Sequence, residues 1–188
     1  MSKANKSKYA LLGMLSLSPM SGYTIKKTIS RSLGHFWHES YPQIYPTLKQ
    51  LEAEGLTTST MDKQEGRPDS LVYSLTERGW EELQRWLERP FEYQVERHEL
   101  LLKLFFAGIA PASLSIEHVR RHRAVQAQAL QTYGQIEAEL KTMQPQHANL
   151  PYWLMTLSYG KHIMRAQLAW CDETLAALEH IAAEEAKK

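Results

Sequence analysis

From position 154 onward, Leu154, Leu157, Lys161, Met164, Leu168, Cys171, Leu175, Leu178 and Ala182 follow one another at alternating spacings of three and four residues, and only Lys161 interrupts the apolar series. A repeat averaging about 3.5 residues puts all of these side chains on one narrow stripe of an α-helix. Such a stripe, sustained over about four heptads, requires a second helix laid along it. The chain can find that helix in another copy of itself or in its own earlier stretch from Ser113 to about Met143, which also reads as helical. The expectation is a homodimer joined along Leu154, Leu157, Met164, Leu168, Cys171, Leu175 and Leu178, with an intrachain helical hairpin as the alternative.

At 188 residues the chain suits one ordinary domain or two small ones, and a large multidomain enzyme is excluded. Apolar residues at 43% and charged residues at 23% are those of a chain that folds. A single cysteine, Cys171, permits no intramolecular disulfide, no Cys-x-x-Cys metal site and no redox pair. A reducing cytoplasm is therefore the expected location. No charged segment followed by an apolar one opens the sequence, and the richest apolar stretch, Leu100 to Ala110, contains Lys103, so no membrane span is expected.

The N-terminal half reads as short helices followed by a hairpin. Leu11, Leu12 and Leu15 mark a helix over 8–17 that stops at Ser18-Pro19. Ser21 caps a second helix with Ile25 and Ile29 on one face, ending near Ser32 to Gly34. A third begins at Ser40, buries Ile44, Leu48 and Leu51, and ends at Gly55, while Pro46 predicts a distorted first turn or a start nearer Tyr45. Residues 56–61 and 71–75 read as strands around a turn at 62–69. Thr76 caps a fourth helix to Leu87 with Trp80, Leu83 and Leu87 inward, and Pro90 marks a boundary. Beyond it come helices over Arg97 to Ala107, Ser113 to Met143 and Tyr152 to Ala183. The expected fold is mainly α: a winged helix-turn-helix with a two-stranded β wing over 1–90, then an α-helical, coiled-coil-like dimerisation domain with an effector site over 91–188.

The near-neutral total charge hides an asymmetry. Residues 1–49 carry Lys3, Lys6, Lys8, Lys26, Lys27, Arg31 and Lys49 against Glu39 alone, a net of +6, which leaves −5 on the remainder. A basic front end on a winged helix points to double-stranded DNA.

The strings YALLGMLS at 9–16, SGYTIKK at 21–27, FWHESYPQIYPTLKQLEAEGL at 36–56, GRPDSLVYSLTERG at 66–79 and HELLLKLFF at 98–106 resemble the PadR family of bacterial transcriptional regulators over nearly the whole chain. The resemblance implies a dimeric repressor acting on a pseudo-palindromic operator. The long C-terminal part resembles the phenolic-acid-responsive type more than the short-tailed multidrug-sensing branch. One departure stands in the wing: Arg67 is followed by Pro68, Asp69, Ser70, Leu71 and Val72 before Tyr73, where the family commonly has further basic residues. A wing holding Lys63 and Arg67 beside Asp62, Glu65 and Asp69 binds phosphate less strongly and leaves more of the affinity to the second and third helices.

On the third helix Gln43 has the chemistry for a bidentate pair with adenine, and Tyr45 and Thr47 for thymine methyls or phosphates. Lys26, Lys27 and Lys49 suit phosphate contacts, and Ser21, Tyr23 and Ser40 suit donation to the DNA backbone near helix N-termini. A phenolic effector needs an apolar slot and a donor for its carboxylate, for which the candidates are Trp37, Lys103, Tyr152, Trp153 and His162. His118 and His122 stand four apart, but Arg120, Arg121 and Arg123 surround them and no third metal ligand is at hand. No cofactor loop or nucleophile motif occurs, and burial of Cys171 on the seam keeps its thiol inert, so neither cofactor nor metal nor enzymatic activity is expected. The alternative to a DNA-binding regulator is a winged helix serving as a protein-interaction module, with the helical tail an assembly device.

Overall fold

The computed structural model describes residues 3–33, 36–37, 39–62, 70–92 and 97–187. The chain divides into two compact units, Met1–Tyr93 and Gln94–Lys188.

The first unit is built on helices α1 (Lys3–Leu15), α2 (Gly22–Ser32) and α3 (Tyr41–Ala53), strands β2 (Thr57–Asp62) and β3 (Ser70–Leu75), and helix α4 (Glu77–Glu88), with a two-residue strand β1 (Met20–Ser21) ahead of α2. Leu11, Leu12, Ile25, Ile29, Ile44, Leu48 and Leu51 form its core, each at most 1% exposed. Helix α1 starts five residues before the expected Lys8. Its first turns carry no apolar stripe to announce them, and polar contacts begin before the buried leucines: Lys8 lies 2.9 Å from Glu54 and 3.7 Å from Glu82. The hydroxyl of Tyr9 donates to Glu82 Oε1 at 2.9 Å, and its ring stacks on Trp86 with centroids 4.8 Å apart.

Strand β1 was not foreseen, since two residues are too short to show alternation. It pairs antiparallel with β3 (Met20 with Tyr73, Ser21 with Val72), and β2 pairs with the other edge of β3, giving the order β1-β3-β2. Helix α3 runs from Tyr41 straight through Pro46, not from Tyr45. Its end is a Schellman turn: Gly55 has φ of 69°, Gly55 N–H donates to Glu52 O and Leu56 N–H to Leu51 O, both at 2.9 Å.

The inward face of α4 differs from the expectation. Leu83 is buried and Trp86 partly so, but Trp80 and Leu87 are exposed, and the inward position one turn before Leu83 belongs to Gly79. Thr76 caps the helix by accepting from Gly79 N–H at 3.1 Å, and a Cβ on residue 79 would overlap the carbonyl oxygen of Leu56. A tryptophan cannot approach that carbonyl and glycine can, which rotates the helix one position from the purely apolar phase.

The second unit contains α5 (Glu99–Phe105), a 3-10 turn (Ala107–Ile109), α6 (Ala112–Met143) and α7 (Leu150–Glu185). Helices α6 and α7 form an antiparallel hairpin. Glu185 accepts from Ala112 N–H, Arg123 pairs with Asp172, and Lys161 reaches Glu137 at 2.6 Å, so the contacts run from one end of α6 to the other. The apolar seam of α7 faces α6 of the same chain: Leu157 and Cys171 are buried, while Leu154, Met164, Leu168, Leu175 and Leu178 are half-buried. Within one chain the helix lying along the seam is thus α6, as in the hairpin alternative. Burial pushes the Cys171 thiol above its ordinary pKa. Among the described residues no helix is long and apolar enough to cross a membrane.

Candidate nucleic-acid interface

Helix α2 carries Lys26, Lys27 and Arg31, and α3 carries Lys49; all but Lys26, which is half-buried, are exposed. Lys6 and Lys8, also in the front end, are held in ion pairs within the chain. Lys8 belongs to the Glu54/Glu82 ion pairs, and Lys6 lies 3.9 Å from Glu92. The segment's +6 thus overstates the charge available to a polyanion, and what remains is concentrated on the two helices of the helix-turn-helix. Arg31, exposed in the last turn of α2, belongs with these cations. Its sequence spacing alone does not separate it from a solvated residue.

Ser21 is the N-cap of α2, and its hydroxyl oxygen accepts from Thr24 N–H at 3.2 Å; Tyr23, in the first turn, is exposed. Ser40 precedes α3. Its hydroxyl donates to Gln43 Oε1 at 3.0 Å and its N–H approaches the same oxygen at 3.5 Å, so the glutamine folds back on the helix start. Thr47 donates to the carbonyl of Gln43 at 2.7 Å. Tyr45 lies against the first turn of α2: a Cβ placed on Gly22 would be 2.7 Å from Tyr45 Cε1, and 44% of the tyrosine remains exposed. Only glycine at 22 lets the two helices meet through that ring. Behind it, Ser59 of β2 donates to Glu52 of α3 at 2.6 Å, joining strand to helix. Lys63 and Arg67 lie outside the described residues.

Within the second unit the effector candidates Lys103 and Trp153 are not brought together. Trp37 belongs to the first unit, where its indole N–H donates to Glu39 Oε1 at 2.8 Å, next to the start of α3. Lys103, on α5, pairs with Glu99 at 2.8 Å. Helix α5 lies by the first half of α6, since His98, its N-cap, meets His122 edge-on with centroids 5.5 Å apart. Trp153 opens α7 beside the other end of α6, its ring tilted against His147 at 4.4 Å. Some twenty residues of α6 at 1.5 Å each put Lys103 and Trp153 on the order of 30 Å apart, so one small acid cannot bridge them within a chain. Tyr152 is exposed, and His162 Nδ1 lies 2.8 Å from the Ser158 carbonyl on the same helix. His122 Nε2 is 2.8 Å from Gln167 Oε1, and Arg120 and Arg123, both exposed, pair across to Glu179 and Asp172 on α7.

Residues 11–85 match the transcriptional regulator PadR-like family, and residues 96–179 match the virulence activator alpha C-terminal family. The negative transcriptional regulator PadR of Bacillus subtilis is 29% identical over 176 residues, 92% of this chain and 97% of that one. The crystal structure of Bacillus subtilis PadR in complex with operator DNA superposes with a TM-score of 0.78 at 27% identity, covering 91% of this chain and 98% of that chain. The same protein in complex with p-coumaric acid gives 0.72 at 26% identity, with 92% and 98% covered. A winged helix with exposed cations on its second and third helices, followed by a long helical hairpin, is thus similar over nearly its whole length to these regulators, and residues 11–85 form a domain of the PadR-like family of transcriptional regulators.

Proposed function

We propose that this regulator is a cytoplasmic homodimeric repressor that binds a pseudo-palindromic operator through α2, α3 and the β2–β3 wing, and that a small aromatic acid releases it. The observation that carries the reading is the concentration of Lys27, Arg31 and Lys49, all exposed, on the two helices of a helix-turn-helix. The operator complex and the p-coumaric acid complex of a relative 26–27% identical support the two halves of the statement.

In this reading the dimer draws on α5 and the turn after it. Helix α5 has no buried residue although its sequence is ELLLKLF, and Phe105 and Ile109 are 81% and 94% exposed. With Leu101, Leu102 and Phe106 these side chains present on the order of 600 Å² of apolar surface, near the roughly 800 Å² per partner of a standard interface. A seven-residue helix is not stable on its own and needs such a cover.

The test is titration of duplex DNA with the full chain at rising salt, with and without p-coumaric acid. Affinity falls steeply with salt and falls again with the acid; absence of DNA binding at low salt favours the protein-interaction alternative. The virulence activator match over 96–179 favours a second reading, activation in place of repression. A reporter gene behind the bound site separates the two by the sign of its response to deletion of the regulator.

A further inference from the structure

The outward face of α3 holds little that can form a base-specific hydrogen bond. Ile44, Leu48 and Leu51 turn into the core, so the opposite direction belongs to Pro42, Pro46 and Lys49, with Tyr45 on one flank and Gln43 and Gln50 on the other. Both amides of the glutamine flank are engaged within the chain: Gln43 Oε1 on Ser40, and Gln50 Nε2 on Glu54 Oε1 at 2.8 Å. A bidentate adenine pair would have to break the first of these. Neither proline has an N–H to offer. What remains at the centre is two exposed pyrrolidine rings beside a phenol ring that is fixed from behind by Gly22.

In the major groove, the apolar feature that distinguishes one base pair from another is the C5-methyl group of thymine. We propose that α3 reads thymine methyl groups through Pro42, Tyr45 and Pro46, and that Gln43 caps the helix and is not a base reader. This rests on the placement of α3 in the major groove under the proposed function. The rings suit the task physically, because proline loses no side-chain rotamer entropy on contact, and Lys49 one turn further along supplies charge for an adjacent phosphate.

The test is selection by the full chain from a pool of duplexes with a random core, run once with thymidine and once with deoxyuridine, which pairs identically but lacks the methyl group. Thymine positions enriched in the first pool lose their enrichment in the second. Selected duplexes remade with deoxyuridine at those positions bind about fourfold more weakly per methyl removed. Gln43→Ala returns the parent's consensus. Pro46→Ala, which restores a helix hydrogen bond and so keeps the protein folded, shows a smaller thymidine-to-deoxyuridine ratio than the parent. The same consensus from both pools, with equal affinities, overturns the inference while leaving DNA binding intact. If neither pool enriches any sequence, base reading by α3 fails altogether and the inference falls with it.

Discussion

Gly160 on α7 lies against the ring of Tyr133 on α6: a Cβ added at 160 would stand 2.8 Å from Tyr133 Cζ and 2.9 Å from Cε2. Both residues are buried, so the ring has nowhere to retreat, and the hairpin closes at this level only because residue 160 has no side chain. Gly160→Ala gains up to about 1 kcal/mol of helix propensity but meets an overpacking cost of about 1–3 kcal/mol. The expected net is a loss of up to about 2 kcal/mol in denaturant unfolding. Combining it with Tyr133→Leu should recover most of that loss, and additive effects in the double-mutant cycle would show that the two positions do not press on one another.

The same hairpin carries an acid-sensitive clasp. Glu137 lies 2.6 Å from both Lys141 and Lys161, and these two ammonium groups hold its carboxyl from the ordinary 4.5 down to about 2. A depressed folded-state pKa contributes stability that is fully present above the unfolded value and is lost as pH falls toward the folded one. Thermal unfolding followed by circular dichroism should therefore show a contribution that is constant above pH 4.5 and declines between 4.5 and about 2. Glu137→Gln should be less stable at neutral pH and have a flatter acid limb. An unchanged limb would mean that the clasp does not hold in solution.

Salt dependence separates the polar residues of the helix-turn-helix. Lys27→Ala and Lys49→Ala should each flatten the slope of log affinity against log salt by about one unit, because each removes one phosphate neutraliser. Lys8→Ala, although it lies in the same basic segment, should leave the slope unchanged and lower stability instead, since its ammonium faces Glu54 and Glu82. Gln43→Ala should behave as the loss of a cap, about 0.5–2 kcal/mol of stability. These are read from filter binding and denaturant titration on the same preparations.

Two charged substitutions distinguish the surfaces of the second unit. Phe105→Glu puts a carboxylate on an exposed apolar helix and should leave a folded monomer by sedimentation. Leu168→Glu puts it on the seam against α6 and should lose helical signal, costing several kcal/mol, because the charge has no partner there. A folded monomer from Leu168→Glu would return the seam to the dimer interface.

Much of this architecture was legible because the signals were local. Ser21, Thr76 and Gly55 are residues whose side chains, or lack of one, act within a turn of their own position, and each end of a helix they mark was found where expected. The apolar stripe of Ile44, Leu48 and Leu51 likewise depends only on helical period. What was not legible depended on distant partners. The spacing of the α7 seam states that a helix lies along it but carries no information on whose helix it is. The inward phase of α4 is set by the Leu56 carbonyl, more than twenty positions before Gly79, and the fate of Lys8 by Glu54 and Glu82. At the interface, Gln43 has the right chemistry for adenine in any one-dimensional reading; that its oxygen turns back on Ser40 is a fact of side-chain geometry. The effector candidates were chosen by residue type alone, and residue type does not bring Lys103 and Trp153 to one place.

The turn that ends α3 also determines how α3 can move. The carbonyl of Gly55 accepts from the Thr76 hydroxyl at 2.8 Å, that of Leu56 accepts from Thr76 N–H at 3.1 Å, and Glu52 is tied to Ser59. The end of α3, the base of the wing and the start of α4 are thus riveted at one joint. A helix fastened in that way transmits force as a lever does and has no independent hinge. Under the proposed function, a signal that releases DNA has to swing the whole N-terminal unit, and a stiffer joint would sharpen the response, whereas a looser one would let α3 stay in its groove while the body moved.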